Sequence, residues 1–291
     1  MGHMNIRFYV SRAVEGLAGL AAALGMPEAF SAHAASTMIV REHHIRFLRE
    51  ARADAPLHMD ASVVEMGETD ATLLQVLRHS ISGEPAATFF TRVVHARPQG
   101  GRIFPWPTRA RAAAQGLTTP IPDFAQPRGI DNGPVQSKAS LALADTLGLR
   151  RGAGGAVQPQ ECDVFGRLRP DAAMARMSEG IHLVLHDLYA AVGEVDPALA
   201  QRLGGAALEY RLIYGDLPTA GAGLDIRSSG IGVTPKLRRL RHWLLDPVTG
   251  RAWASCEVVA ANFDLEARKV VAIPGAAVEA ISKLQRSDMP L

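Results

Sequence analysis

Two stretches of the chain carry apolar residues at helical spacing, and alternating runs bounded by turn residues follow each. Leu17, Leu20, Ala21 and Leu24 recur in a helix predicted over residues 9–24, and Ile181, Val184, Leu185 and Leu188 in one predicted over 171–192. Pro170 stands at the start of the second, where a missing N–H costs nothing. Both helices are apolar on nearly every side, so both are expected to be wrapped by other elements. Strands are predicted over 38–48, 57–66, 71–80 and 86–96, with hairpin turns at 66–69 and 81–84. After the second helix they are predicted over 206–214, 220–227, 232–245 and 252–261, with a turn at 246–250. A last strand at 269–273 and a closing helix near 276–284 complete the reading. A helix followed by an antiparallel meander, twice over, predicts an α+β fold in which a curled sheet surrounds a central helix.

The chain also matches itself. Gly2-His3-Met4-Asn5 through Glu15-Gly16 lies without a gap over Gly166-Arg167-Leu168-Arg169 through Glu179-Gly180, with Gly, Arg, Glu and Gly identical. Further on, His44-Ile45-Arg46-Phe47-Leu48 meets Glu209-Tyr210-Arg211-Leu212-Ile213, and Leu77-Arg78-His79 meets Leu240-Arg241-His242. Shared order at a nearly constant shift means duplication. The copies occupy 1–100 and 156–291, joined by a Pro/Gly-rich linker over 101–155 with one short helix near 137–147. They are expected to pack as a homodimer would, sheets side by side in a pseudo-dimer. A strand over 156–164 precedes the second helix. Nothing comparable precedes Met1, so the first copy is expected to lack that strand or to have it shortened.

Composition narrows the classes. The 291 residues suffice for two domains, and 47% hydrophobic with 21% charged is a globular profile. A net charge of +2 gives no reason to expect nucleic acid or an anionic membrane as partner. Cys162 and Cys256 offer no disulfide framework and read as buried small hydrophobes in a reducing, cytoplasmic compartment. Arg7 and Arg12 ahead of an apolar stretch imitate a signal peptide, but Glu15 interrupts it and the segment recurs later in the chain.

Glu161-Cys162-Asp163-Val164-Phe165-Gly166 and Gly2-His3-Met4-Asn5 together resemble the signature of hotdog-fold acyl-CoA thioesterases, of the tandem, 4-hydroxybenzoyl-CoA thioesterase-like kind. In that signature an Asp lies shortly before Gly-His-Met/Val-Asn, and an aromatic residue and a Glu follow on the helix. The resemblance implies the hotdog fold, thioester substrates on coenzyme A or an acyl carrier protein, and no metal or organic cofactor. It also implies a monomeric pseudo-dimer or a homo-oligomer of it. The second copy has Asp163 but reads Gly166-Arg167-Leu168-Arg169 where the signature has His and Asn. The first has His3 and Asn5, while its Asp position falls before Met1. An upstream start, a cloning scar over Gly2-His3-Met4 and a missing strand all fit that start.

Thioester hydrolysis needs an attacking water or carboxylate and a place for charge on the carbonyl oxygen. Gly2 and Gly166 each stand ahead of a helix, where free N–H groups and close backbone approach offer an oxyanion site. Asp163 is placed as general base or nucleophile, with Glu15 and Glu179 as helix carboxylates, either solvated or buried near the acyl group. His3 and Asn5 are polar site residues or helix caps. His43 and His44 point to opposite faces of a strand, against a shared metal. The basic run 236–242 reads as a solvated or edge strand, with contact to coenzyme A phosphates as the alternative. Arg46 and Arg211 match across the copies and are expected to pair with sheet or linker carboxylates. A hotdog hydratase or dehydratase, and a non-catalytic acyl-CoA-binding module, are the competing readings.

Overall fold

The computed structural model describes residues 3–52, 54–135 and 137–291. Its contacts divide the chain into two compact units. One comprises Met1–Arg128, Val157–Ala175 and Ile213–Gly221; the other comprises Gly129–Ala156, Arg176–Leu212 and Ala222–Leu291.

The first unit opens on α1 (Ile6–Ala23). Asn5 caps it, its side-chain oxygen accepting the Arg7 N–H at 3.0 Å. Tyr9, Val10, Ala13, Leu17, Leu20 and Ala21 form its buried face, which packs against β2 (Leu57–Met66) and β3 (Asp70–His79). With β1 (Thr37–Phe47) and β4 (Pro85–Ala96) these strands form an antiparallel order β2-β3-β4-β1. α2 (Thr108–Gly116) follows. The sequence reading missed it because prolines dominate its surroundings, yet its alanines favour helix and bury Ala110 and Ala114 one turn apart.

The chain then forms α3 (Leu141–Thr146), β5 (Arg151–Ala156) and α4 (Pro170–Glu179), whose last residues belong to the second unit. α5 (Ile181–Val195), α6 (Pro197–Arg202), β6 (Leu203–Tyr214), β7 (Gly223–Val233), β8 (Leu237–Leu245), β9 (Ala252–Asp264), the short β10 (Lys269–Val270) and α7 (Gly275–Ser282) complete it. The strand order is β6-β9-β8-β7-β5, with β10 on β9. The strands that follow α5 thus pair in the same permutation as those that follow α1, which is the duplication expressed as topology.

Several expectations are corrected. The strand expected over 156–164 lies earlier, as β5; beyond it Pro159–Glu161 turns as a short helix closed by the Glu161 carboxylate on the Gln158 N–H at 2.8 Å. The long helices are not wrapped on all sides. In α1, Phe8, Glu15, Ala18 and Ala22 are exposed, and in α5 full burial is reached by Leu188 and Val192. Small alanines explain how little this exposure costs. The basic strand β8 is an interior strand between β9 and β7, its Arg239 and Arg241 both paired with Glu257.

The helix expected over 171–192 breaks at Gly180. A Cβ there would lie 2.3 Å from the Ser228 hydroxyl and 2.9 Å from the Ile226 methyl, so glycine lets helix and sheet approach closely. Gly180→Ala is expected to destabilise by about 1–3 kcal/mol, as overpacking does. A lowered urea midpoint checks this, and an unchanged one would show that the sheet yields to the added Cβ.

Candidate functional site

The first unit contains a cavity of about 750 Å³, within the usual range for a ligand pocket. Val14 and Leu17 of α1, Phe30, Met38 and Val40 supply apolar wall, and residues 162–165, 167–170, 215–217 and 219 close another side. The lining carboxylates are Asp163 and Asp216, and the lining cations are Arg41, Arg167 and Arg169.

The loop carrying Asp163 is a tight reversal. The Asp163 N–H donates to the Arg167 carbonyl at 2.7 Å, and the Gly166 N–H to the Asp163 carbonyl at 3.0 Å. Gly166 has φ +80°, a left-handed conformation that glycine adopts freely. It is a turn residue some way ahead of Pro170 at the start of α4, rather than the residue that opens the helix. The Asp163 carboxylate locks the turn. One oxygen accepts the Phe165 and Arg167 N–H groups at 2.9 and 3.0 Å, and the other accepts Nε and Nη2 of Arg167 at 3.2 and 3.0 Å. Nη1 of Arg167 is buried without a hydrogen-bond partner, and the guanidinium lies over the Phe165 ring at 5.0 Å. The pair is partly exposed, 20% and 30% for the two side chains, so a molecule in the cavity can reach it.

Arg41 owes its place to a bulge. In the β1–β4 register Val40 faces Val93 and Glu42 faces Arg92, which leaves Arg41 as the extra residue. A bulge re-aims its side chain, and here Arg41 donates to the Gly215 carbonyl at 2.9 Å and to Asp216 at 3.1 Å. Cys162, expected to be buried, is half-buried on the cavity wall. Burial and then the Asp163 charge push its thiol up, so it stays protonated and is a poor nucleophile. Behind the wall, buried His43 sits 3.1 Å from the Tyr214 hydroxyl, and burial lowers its pKa to about 3.

The structure brings Asp163 to this cavity on the loop that Gly166 turns. It places the other sequence-derived residues elsewhere. His3 is exposed and bridges to Arg52; Asn5 is exposed and caps α1. Glu15 is exposed and pairs with Arg12 at 2.6 Å; Glu179, in the second unit, is exposed and pairs with Arg176 at 3.3 Å. The glutamates matched across the repeat therefore each meet the arginine one turn before. Gly2 lies outside the described residues. Sequence reasoning missed Arg167 and Arg41. A signal existed for Arg167, which stands in the repeat frame where the first copy has His3. No group of three or more His, Cys, Asp or Glu among the described residues is arranged to hold a metal ion.

Residues 1–123 match the family model of the thioesterase-like superfamily. No curated protein matches the chain in sequence. Among solved structures, a protein from Lactobacillus plantarum assigned as an oleoyl thioesterase is similar at 12% identity, with 90% of each chain covered and a TM-score of 0.63. An acyl-ACP thioesterase from Bacteroides thetaiotaomicron is similar at 9% identity, covering 89% of this chain and 90% of its own, with a TM-score of 0.61. The 12:0-ACP thioesterase from Umbellularia californica is similar at 13% identity, covering 90% of this chain and 88% of its own, with a TM-score of 0.60. The fold is the tandem hotdog that the signature implies. No described helix is long and apolar enough to cross a membrane.

Proposed function

We propose that the chain hydrolyses an acyl thioester whose acyl chain lies in the cavity of the first unit and whose carbonyl meets the Asp163–Arg167 pair. One observation carries this reading: the signature loop places the Asp163 carboxylate and the Arg167 guanidinium on the wall of an apolar cavity. In this reading Asp163 gives up one hydrogen bond and takes a proton from water. The water oxygen attacks the carbonyl carbon, and the carbonyl oxygen gathers charge that the Arg167 guanidinium stabilises. The carbon–sulfur bond then breaks, and the thiolate takes the proton back from Asp163. The thioesterase-like family match supports the reaction class, and the fold shared with two acyl-ACP thioesterases supports a carrier-bound acyl substrate. Free thiols at Cys162 and Cys256 fit a cytoplasmic setting.

Release of free thiol from a panel of acyl-CoA and acyl carrier protein substrates tests the reaction, and no release from any of them would overturn it. Val14 lines the cavity and is only partly buried, so Val14→Trp fills space without replacing a core residue. Its kcat/KM should fall by about tenfold or more on long acyl chains and much less on short ones, because apolar contact contributes per methylene. Equal losses at all chain lengths would place the acyl group elsewhere.

A further inference from the structure

The second unit has a cavity of its own, about 460 Å³, and its chemistry differs from the first. Val184, Leu185 and Leu188 of α5, Leu240 of β8 and Ile281 of α7 provide apolar wall. Arg238 lines the same space and is 5% exposed. Its Nη1 donates to the Asn262 side-chain oxygen at 3.2 Å, while its Nε is buried without a partner. Among the described residues no carboxylate pairs with it. The lining carboxylate, Asp187, is paired with Arg150, and the lining Lys283 is paired with Glu279. A buried cation without a counter-ion is costly.

The repeat supplies a control within the chain. In the frame that aligns Leu77 with Leu240, Arg238 matches Gln75. Gln75 is fully buried and neutral, and its amide is used at both ends. Its nitrogen donates to the Ala13 carbonyl of α1 at 2.6 Å, and its oxygen accepts the Thr91 hydroxyl at 2.7 Å. One copy thus closes this position with a satisfied amide, and the other leaves a charge on a cavity.

We propose that the cavity of the second unit binds an alkyl monocarboxylate, with the carboxylate on Arg238 and the alkyl chain along Leu185, Leu188, Leu240 and Ile281. The anion supplies the counter-charge that the protein withholds, as a guanidinium binds a carboxylate in a fork. This does not rest on the hydrolytic reading; where that reading holds, the ligand is of the class the reaction releases, and the second unit senses or stores product. Desolvation already disfavours the charge on Arg238, so a neutral residue there should be well tolerated.

Isothermal titration calorimetry with dodecanoate, dodecanol and dodecyl phosphate on the intact chain decides the matter. It is repeated with Val14→Trp to remove any binding in the first cavity. Dodecanoate should bind at least tenfold tighter than dodecanol. Arg238→Gln, which installs the residue of the first copy, should weaken dodecanoate at least tenfold and erase the preference over dodecanol. An unchanged affinity in Arg238→Gln, or equal binding of acid and alcohol by the native chain, overturns the proposal. Tighter binding of dodecyl phosphate by tenfold or more overturns the carboxylate assignment in favour of a phosphate. The comparison of acid and alcohol needs no variant at Arg238, so it stands even if Arg238→Gln does not fold. Thiol release is measured separately, so loss of hydrolysis with retained dodecanoate binding would sink only the catalytic reading.

Discussion

Asp163→Asn should leave the chain folded and lower turnover on a good acyl thioester by about 10²-fold or more, as loss of a general base commonly does. Folding should survive because Asn keeps the oxygen that accepts the Phe165 and Arg167 N–H groups, the bonds that lock the turn. What it loses is the charge facing Nε and Nη2 of Arg167. Two readings compete. If Asp163 only holds the turn, turnover stays near normal. If Asp163 takes the proton from water, turnover collapses. Arg167→Met separates base from positioner. It should lower kcat through lost stabilisation of the carbonyl oxygen while leaving the Asp163 carboxylate in place. Circular dichroism confirms folding of each variant. Near-normal turnover in a folded Asp163→Asn would remove Asp163 from the chemistry.

Much of the fold was legible because its signals are local. Each strand of the first meander was found within a residue or so, since apolar alternation and the turns at 66–69 and 81–84 sit within a few residues of what they control. The duplication was legible because a repeated pattern needs no knowledge of packing. The break at Gly180 was not. It falls where helix and sheet approach closely, at Ser228 and Ile226, far along the chain. The site was harder still. Val14, Arg41, Asp163 and Asp216 meet through four segments of the first unit, and no local pattern records that meeting. The signature pointed to Asp163 as a residue but could not show that Arg167 occupies it. Arg41 was invisible for a different reason: a bulge is an insertion relative to a partner strand, and the register with β4 is known only once the strands pair. Glu15 and Glu179 drew notice because they repeat. The structure gives the repetition a plain content, an arginine one turn earlier in each copy.

Arg211→Met should destabilise the chain by about 3–5 kcal/mol, the range for removing one partner from a buried charged network. Arg211 and its repeat counterpart Arg46 both donate to backbone carbonyls of the connecting segment. Arg46 reaches Phe124 and Gln126 at 2.9 and 2.6 Å, and Arg211 reaches Asp131 and Gly133 at 2.7 and 2.5 Å. The surroundings differ. Arg211 is 1% exposed, and on the same strand buried Glu209 accepts the Gly129 and Ile130 N–H groups at 2.5 and 3.2 Å. Together the two buried side chains hold backbone donors and acceptors of residues 129–133. Met keeps most of the stem's volume, so the loss reads the hydrogen bonds and the charge rather than a cavity. Arg46 is only partly buried, and water can replace it, so Arg46→Met should cost about 1 kcal/mol. Equilibrium urea unfolding of the two variants, followed by tryptophan fluorescence, gives the comparison. Hydrogen exchange supplies a second readout: the Gly129 and Ile130 amides should lose protection in Arg211→Met and keep it in Arg46→Met. Equal losses in the two variants, or retained protection at both amides in Arg211→Met, would mean that the strand holds this segment by packing and not by the Glu209–Arg211 network.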